Sequence, residues 1–334
     1  MKLEVAPPES ACAHILDAWR QIAVNTRQAD PFCSSPTWQL AFHEAFSPKR
    51  RLLVENSSGS MLSFAEKIFS PSEIYLTPIE PHWFFACPLL GRNSVDLLVK
   101  AMEYLTKEYA PRFPKILISG IRPKSFLPGR LLQVFSKDFA MFLHSRGLQC
   151  AASLSGGVDG FLSRRSANFR SKLKKACKRA AAKGISFERV LPTSPEEAAA
   201  IYARMLAVEE VSWKGINACG MAESPVREFY AAMMRRLSQH ADARVIMAKY
   251  EGKDIGFIFG GMAGKIYRGQ QFSYDDAWKE FSIGNSMQLE QIQWLCEEKA
   301  ARYDMGPIVG QAMGYKTHWT EKRIPIQCWR LEKR

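Results

Sequence analysis

These 334 residues contain no CxxC pair, no HExxH and no other closely spaced set of metal-ligating side chains. The eight cysteines (Cys12, Cys33, Cys87, Cys150, Cys177, Cys219, Cys296 and Cys328) are scattered. That is the pattern of reduced thiols in or near a core, and it excludes a zinc motif of recognisable spacing, though not a metal site assembled from distant residues. Long apolar runs are missing too, and none approaches the roughly 20 residues that span a bilayer. The N-terminus, MKLEVAPPES, lacks the apolar core of an export signal. A cytoplasmic chain without a transmembrane segment is therefore expected.

Acid is absent where base is densest. Residues 164–183, RRSANFRSKLKKACKRAAAK, hold nine Lys or Arg and no Asp or Glu. Taking those nine from the total of +13 leaves +4, so the excess charge belongs largely to one segment. Phe169, Leu173, Ala176 and Ala180 recur at helical spacing, giving one apolar stripe on an otherwise cationic helix. Such a helix can be a solvated face. Each like-charge i,i+4 pair on it nevertheless costs roughly 0.2–0.5 kcal/mol, which favours an anionic partner: nucleic acid, an acidic carrier protein, phosphates or anionic lipid.

The hydrophobic fraction of 47% and the length suit a globular chain of two domains, or one large one. A helix is expected from Ser10 to Ala23, and another opening at Pro36 with Trp38, Phe42 and Phe46 on one face. Strands are expected over 52–54 and 62–68, then a proline- and aromatic-rich stretch over 77–91. A helix over 94–109 and a strand over 115–119 follow. Glycines within 153–160 suggest the domain boundary, giving domains 1–155 and 156–334. In the second half, Gly184 closes the basic helix and a strand follows to Val190. Ser194-Pro195-Glu196-Glu197 is a capping box opening a helix, and Ser224-Pro225 opens the next. Three strands with short turns (244–249, 255–263, 265–272) read as an antiparallel meander. Ile-Gly-Asn-Ser at 283–286 opens a helix to about Lys299. A strand at 302–305, a helical turn near Tyr315 and a strand at 324–331 end the chain.

The order β, α, α, β, β, β, α, β, α, β resembles the Gcn5-related N-acetyltransferase (GNAT) fold. Four stretches carry a closer likeness: PFCSSPTWQLAF, the basic helix with its glycine and strand, Val211-Ser212-Trp213-Lys214-Gly215, and the run from Tyr267 to Lys316 with Tyr-Asp, Ile-Gly-Asn-Ser, Tyr-Asp-Met-Gly and Gly-Tyr-Lys. Together they resemble tandem-GNAT acyltransferases of the cellulose-biosynthesis-associated (CelD/BcsL) type, relatives of Fem-type peptidoglycan aminoacyltransferases. Ile283 stands where that family often has proline, Asp304-Met305-Gly306 replaces Asp-Phe-Gly, and the Gln/Arg-x-x-Gly-x-Gly/Ala acyl-CoA loop of ordinary GNATs is missing. The resemblance implies an α/β (α+β) fold of two GNAT-like domains, each a mixed, mostly antiparallel sheet flanked by helices. It also implies a role in bacterial polysaccharide or cell-envelope biosynthesis.

The implied activity is N-acyl transfer from acetyl-CoA or a longer acyl-CoA to an amine on a small molecule, sugar or peptide. An aminoacyl-tRNA donor, or a non-catalytic module binding an acidic carrier protein or nucleic acid with 77–91 as its recognition loop, are the alternatives. Backbone N–H groups at Gly284, Asn285 and Ser286 can take a pyrophosphate at a helix start, or Ser282 or Asn285 can simply cap it. Asp304 at a strand end is a candidate base or amine-orienting group, or a turn cap. Lys316 can neutralise developing negative charge. Tyr274 or Tyr315 can protonate the leaving group, whereas Asp275 and Asp276 read as turn residues. Trp213 and Lys214 are candidate acceptor contacts, with packing as the rival role for the tryptophan. Tyr315 and Gln270 complete the substrate-binding set, Gln270 lying on the strand whose N–H groups would face the carbonyl.

Overall fold

The computed structural model describes residues 13–308 and 313–334; Cys12, the start of the helix expected from Ser10, and residues 309–312 lie outside the described residues. In chain order the elements are α1 (Ala13–Asn25), α2 (Pro36–Phe46), β1 (Leu52–Ser57), β2 (Ser60–Ser70), β3 (Glu73–Pro78), β4 (Leu89–Leu90), α3 (Ser94–Glu108), β5 (Lys115–Ile121), α4 (Phe126–Phe135) and β6 (Phe139–Ser153). There follow α5 (Gly157–Ser163), α6 (Ala167–Lys183), β7 (Ser186–Val190), α7 (Pro195–Glu210), α8 (Trp213–Ile216), α9 (Val226–Ser238), β8 (Ala243–Tyr250), β9 (Lys253–Ala263) and β10 (Ile266–Tyr274). A 3-10 turn (Asp276–Phe281), α10 (Ile283–Glu297), β11 (Arg302–Pro307), α11 (Lys316–Trp319) and β12 (Lys322–Lys333) complete the chain. The fold is mixed α/β with mostly antiparallel strands and flanking helices, as in GNAT-like domains.

Two compact units emerge, one of residues up to Leu148 with Ile324–Arg334, the other Gln149–Arg323. This division differs from the expected 1–155 and 156–334. The break falls inside β6, and the last strand joins the first unit because Gln327–Leu331 pair with Ile116–Ile121 of β5. Within the stretch 153–160 expected as the domain boundary, α5 (Gly157–Ser163) begins.

In the first unit β1, β2 and β3 pair antiparallel and β3 pairs parallel with β5. Trp19 of α1, Leu98 of α3, Leu127 of α4 and the inward faces of the strands make its core. The 77–91 stretch, expected as a recognition loop in the binder alternative, is largely interior: Ile79, Phe85 and Cys87 are buried. The carboxyl of Glu80 accepts the Trp83 N–H at 2.6 Å and the Trp38 indole N–H at 3.4 Å, and burial pushes its pKa up to about 8. That network ties the stretch to α2.

The second unit is built on the meander. β7 pairs with β8, β8 with β9 and β9 with β10, all antiparallel. β11 then lies parallel to β10 and antiparallel to residues 149–153 of β6. Its helices begin where local chemistry favours it. The Ser166 hydroxyl accepts the Phe169 N–H and Gly184 closes α6 at φ +84, donating to Ala180 and Ala181 carbonyls. Ser194 accepts the Glu197 N–H, while the Glu197 carboxylate reaches back to the Thr193 N–H at 2.7 Å. The stripe Leu173, Ala176 and Ala180 of α6 is buried, and burial of Leu173 alone is worth about 2 kcal/mol. The cations occupy the remaining faces. No helix among the described residues is long and apolar enough to cross a membrane.

Candidate active site

β10 and β11 are paired only from Ile266 to Arg268, against Arg302 to Asp304. From there β10 continues along β9 with Gln270 bulged out between Gly269 and Gln271. β11 continues along β6 with its own irregularity between Asp304 and Gly306. Each strand therefore follows its outer neighbour, and a cleft of about 50 Å³ opens where they part. Gly269, Gln270, Gln271, Tyr303, Met305 and Lys316 line it. Among the described residues, the β10 edge facing β11 has no strand pairing from Gly269 onward, and the Phe272 carbonyl is taken by Lys214.

A larger pocket of about 340 Å³ adjoins this cleft and shares Phe272, Gln288 and Tyr315 with it. It opens over the start of α10, where Ser282, Gly284 and Asn285 line it. Ser282 takes a left-handed conformation (φ +56) that turns the 3-10 segment into α10. A Cβ on Gly284 would come within 3.1 Å of the Phe272 ring, which would have to give by a few tenths of an ångström, so the helix start packs close on β10. The charges around the pocket are cationic: Lys172 and Lys279 line it, and no acidic residue does.

Several expectations are altered by this geometry. Ser282 does not cap α10 with its side chain; its hydroxyl accepts from Arg179 Nη2 at 3.1 Å, and Arg179 Nη1 donates to the Glu280 carbonyl at 3.0 Å. The Asn285 N–H is bonded to the Ser282 carbonyl at 3.0 Å, which removes one expected phosphate donor. Ser286 is buried beside Cys177 and lines neither cavity. Arg179 was not singled out by the sequence. Its only signal was membership of the basic helix.

Asp304 was expected to face a cleft, yet it is fully buried and lines neither cavity. Arg302 holds both of its oxygens, Nε at 2.8 Å and Nη2 at 2.9 Å, and Gln149 Nε2 donates to Oδ2 at 2.9 Å. The carboxylate thus joins β11 to β6. Lys214 is also turned inward: its ammonium donates to the Phe272 carbonyl at 2.8 Å and to Gln271 Oε1 at 2.9 Å, and lies 3.9 Å from buried Glu209. Burial lowers its pKa, with Glu209 acting in the opposite sense. Gln271 Nε2 in turn donates to the Tyr230 hydroxyl at 2.9 Å. Lys214 therefore braces β10 beside its bulge from behind. Trp213, by contrast, is half exposed on α8 and reaches neither cavity.

Lys316 lines the narrow cleft, Tyr274 the larger pocket, and Tyr315 borders both. Lys316 is buried, and its Nζ donates to the Pro307 carbonyl at 2.7 Å. Burial, reinforced by the Arg268 guanidinium, brings its pKa down to about 8. Tyr315 borders both cavities, its ring edge-on to Phe272, and burial raises its pKa to about 12. Tyr274 lines the larger pocket. Gln288 of α10, unremarked in the sequence, reaches both cavities and donates to the Tyr303 hydroxyl at 3.2 Å. Among the described residues, no group of three or more His, Cys, Asp or Glu could hold a metal ion.

The family model described as an acetyltransferase (GNAT) domain matches residues 167–317. A conserved protein of unknown function from Bacteroides thetaiotaomicron superposes with a TM-score of 0.67 at 10% identity, covering 96% of this chain and 97% of that one. FemX gives 0.68 at 11% identity over 93% and 95% of the two chains. The C-terminal domain of a protein described as a lysylphosphatidylglycerol synthetase from Agrobacterium fabrum gives 0.58 at 12% identity over 96% and 93%. At such identities the likeness is one of fold alone. No curated protein matches by sequence. Residues 167–317, running from α6 through the parted strands to α11, are similar to the acetyltransferase (GNAT) domain model and have a mixed α/β, GNAT-like fold.

Proposed function

We propose that the second unit is an N-acyltransferase that takes an acyl group from acetyl-CoA or a longer acyl-CoA and delivers it to an amine. One observation carries the reading: the parting of β10 from β11 opens directly into a cation-lined pocket over the start of α10. A thioester donor needs an anion-holding mouth joined to a narrow cleft with polarising donors, and that is the arrangement of the two cavities. Lys172, Lys279 and the α10 start would hold its phosphates. The aromatic wall of Phe169, Phe272 and Tyr274 suits the uncharged arm. When bound, the donor supplies an activated thioester carbonyl.

The residues then divide the work. Backbone N–H groups of β10 at the Gln270 bulge, where the strand has left β11, would hold the carbonyl oxygen as it becomes an oxyanion. Lys316, charged at neutral pH, adds electrostatic stabilisation in a site removed from water. The amine forms the new C–N bond as the C–S bond breaks. Tyr315 can pass a proton to the departing thiolate, which balances the proton lost by the amine. Asp304 acts through position, holding β11 where it leaves β10. The acceptor amine belongs to a small molecule, sugar or peptide, in line with the CelD/BcsL-type resemblance and a cytoplasmic role in envelope or polysaccharide synthesis. Calorimetric titration with acetyl-CoA and longer acyl-CoAs tests the donor, and no binding to any of them would sink this reading.

A second reading, an aminoacyl-tRNA donor, is favoured by α6. Lys174, Lys175, Lys178 and Lys183 are exposed along its length and do not line the pocket. They offer a polyanion more sites than a CoA could fill. The likeness to FemX and to the synthetase domain agrees with it in fold. Charged tRNA retained on filters at 50 mM salt and released by 200 mM, with no CoA binding, would select this donor.

A further inference from the structure

The first unit carries a cavity that the acyl-transfer reading does not use. It has a volume of about 760 Å³, within the range of small-molecule sites, and lies where the α1–α2 loop, Gly91-Arg92 and the start of α4 meet. Arg27, Arg92, Arg122 and Lys124 line it, and no acidic residue among the described residues does. None of Arg27, Arg92 and Lys124 pairs with a carboxylate among the described residues.

Its walls are fixed by hydrogen bonds that bring these cations together. Arg122 Nη1 donates to the Arg27 carbonyl at 2.6 Å, tying the α1–α2 loop to the end of β5. The Gly91 N–H donates to Thr26 Oγ1 at 2.9 Å, which places Arg92 on the same rim. Gln28 Nε2 is buried there without a hydrogen-bond acceptor. Ser125 directs its hydroxyl to the Arg122 carbonyl at 2.7 Å rather than capping α4, so the donors of the first helical turn add to the same sign of charge. Like charges gathered by a folded scaffold repel one another unless an anion lies among them. At one side the ring of Phe126 is 48% exposed, an apolar face next to the cations.

We propose that this cavity binds a phosphorylated small molecule of nucleotide size, its phosphates among the four cations and an aromatic ring over Phe126. The site is separate from the acyl-transfer cleft, and its existence does not depend on the donor assigned to the second unit.

Hydrogen–deuterium exchange on the full chain locates the ligand, with inorganic pyrophosphate and ADP as separate probes. Slowed exchange is expected in peptides covering 25–28 and 122–128 with both. The double variant Arg92→Ala/Lys124→Ala replaces exposed side chains, so it should keep the wild-type melting curve while weakening both probes tenfold or more. Phe126→Ala should weaken ADP severalfold and leave pyrophosphate unchanged. Protection confined to 282–288, or none at all, would overturn the proposal without touching the acyltransferase reading. Protection of 25–28 and 122–128 by a short RNA but by neither small probe would overturn it in favour of a polyanion surface.

Discussion

Replacing Lys316 by methionine removes a buried cation while keeping most of the side-chain volume. In the folded chain the ammonium is shut away from water and lies near Arg268, which together bring its pKa from 10.5 down to about 8. Such a displacement disfavours the charged form by roughly 3 kcal/mol. The bond from Nζ to the Pro307 carbonyl returns part of this, on the order of 1–2 kcal/mol. At pH 7 the variant should thus be at least as stable as the wild type, and more stable by about 1–2 kcal/mol. Activity should move the other way. Loss of one preformed electrostatic partner of the oxyanion lowers kcat by about 10²–10³. The pH dependence gives an independent check. Between about 8 and 10.5 the unfolded lysine holds more protons than the folded one, so wild-type stability rises with pH across that window and falls as pH drops through 8. In Lys316→Met this rise disappears. Urea unfolding at pH 7 and pH 10, beside steady-state rates with an acyl-CoA and an amine, measures all three. A variant that loses less than threefold in rate, or is strongly destabilised at pH 7, would refute the assignment.

Other outcomes follow from the same geometry. Lys214→Met leaves Glu209 buried without its nearby cation and releases the Phe272 carbonyl; a loss of about 3–5 kcal/mol in denaturant unfolding is expected. If the pocket takes the donor as proposed, Lys172→Ala and Arg179→Ala should each raise the acyl-CoA KM about tenfold at nearly constant kcat, since the first lines that pocket and the second bonds to Ser282, which also lines it. Asp304→Asn weakens a buried ion pair, so melting temperature should drop markedly while the rate per folded molecule stays within about tenfold. A thousandfold loss in rate at unchanged stability would instead make Asp304 the general base.

The elements legible in the sequence were those specified by neighbours along the chain. Helix α6 is written in Ser166, the Leu173-Ala176-Ala180 stripe and Gly184. The meander of β8, β9 and β10 follows from tight turns such as Glu251-Gly252, and the start of α10 from Gly284 with its flanking polar residues. What escaped had contrary local signals. Pro128 and Gly129 disguise α4, and β6 changes halfway from an exposed to a buried strand, so no single period marks it. The site residues divide in the same way. The sequence marks Ser282 and Gly284 as the start of a helix and Tyr315 and Lys316 as a turn, while their lining of the cavities comes from the fold.

Sequence by itself thus determined most of the longer helices, though not α4, and also the meander and the cationic character of α6, all properties of residues a few positions apart. Only the tertiary structure decided which polar groups face the cleft. Asp304 is claimed by Gln149, 155 positions away, and Lys214 by Phe272, 58 positions away. Lys316 acquires its lowered pKa from burial and from Arg268. Desolvation and ion pairing depend on what the folded chain brings alongside, and local pattern carries no record of those partners.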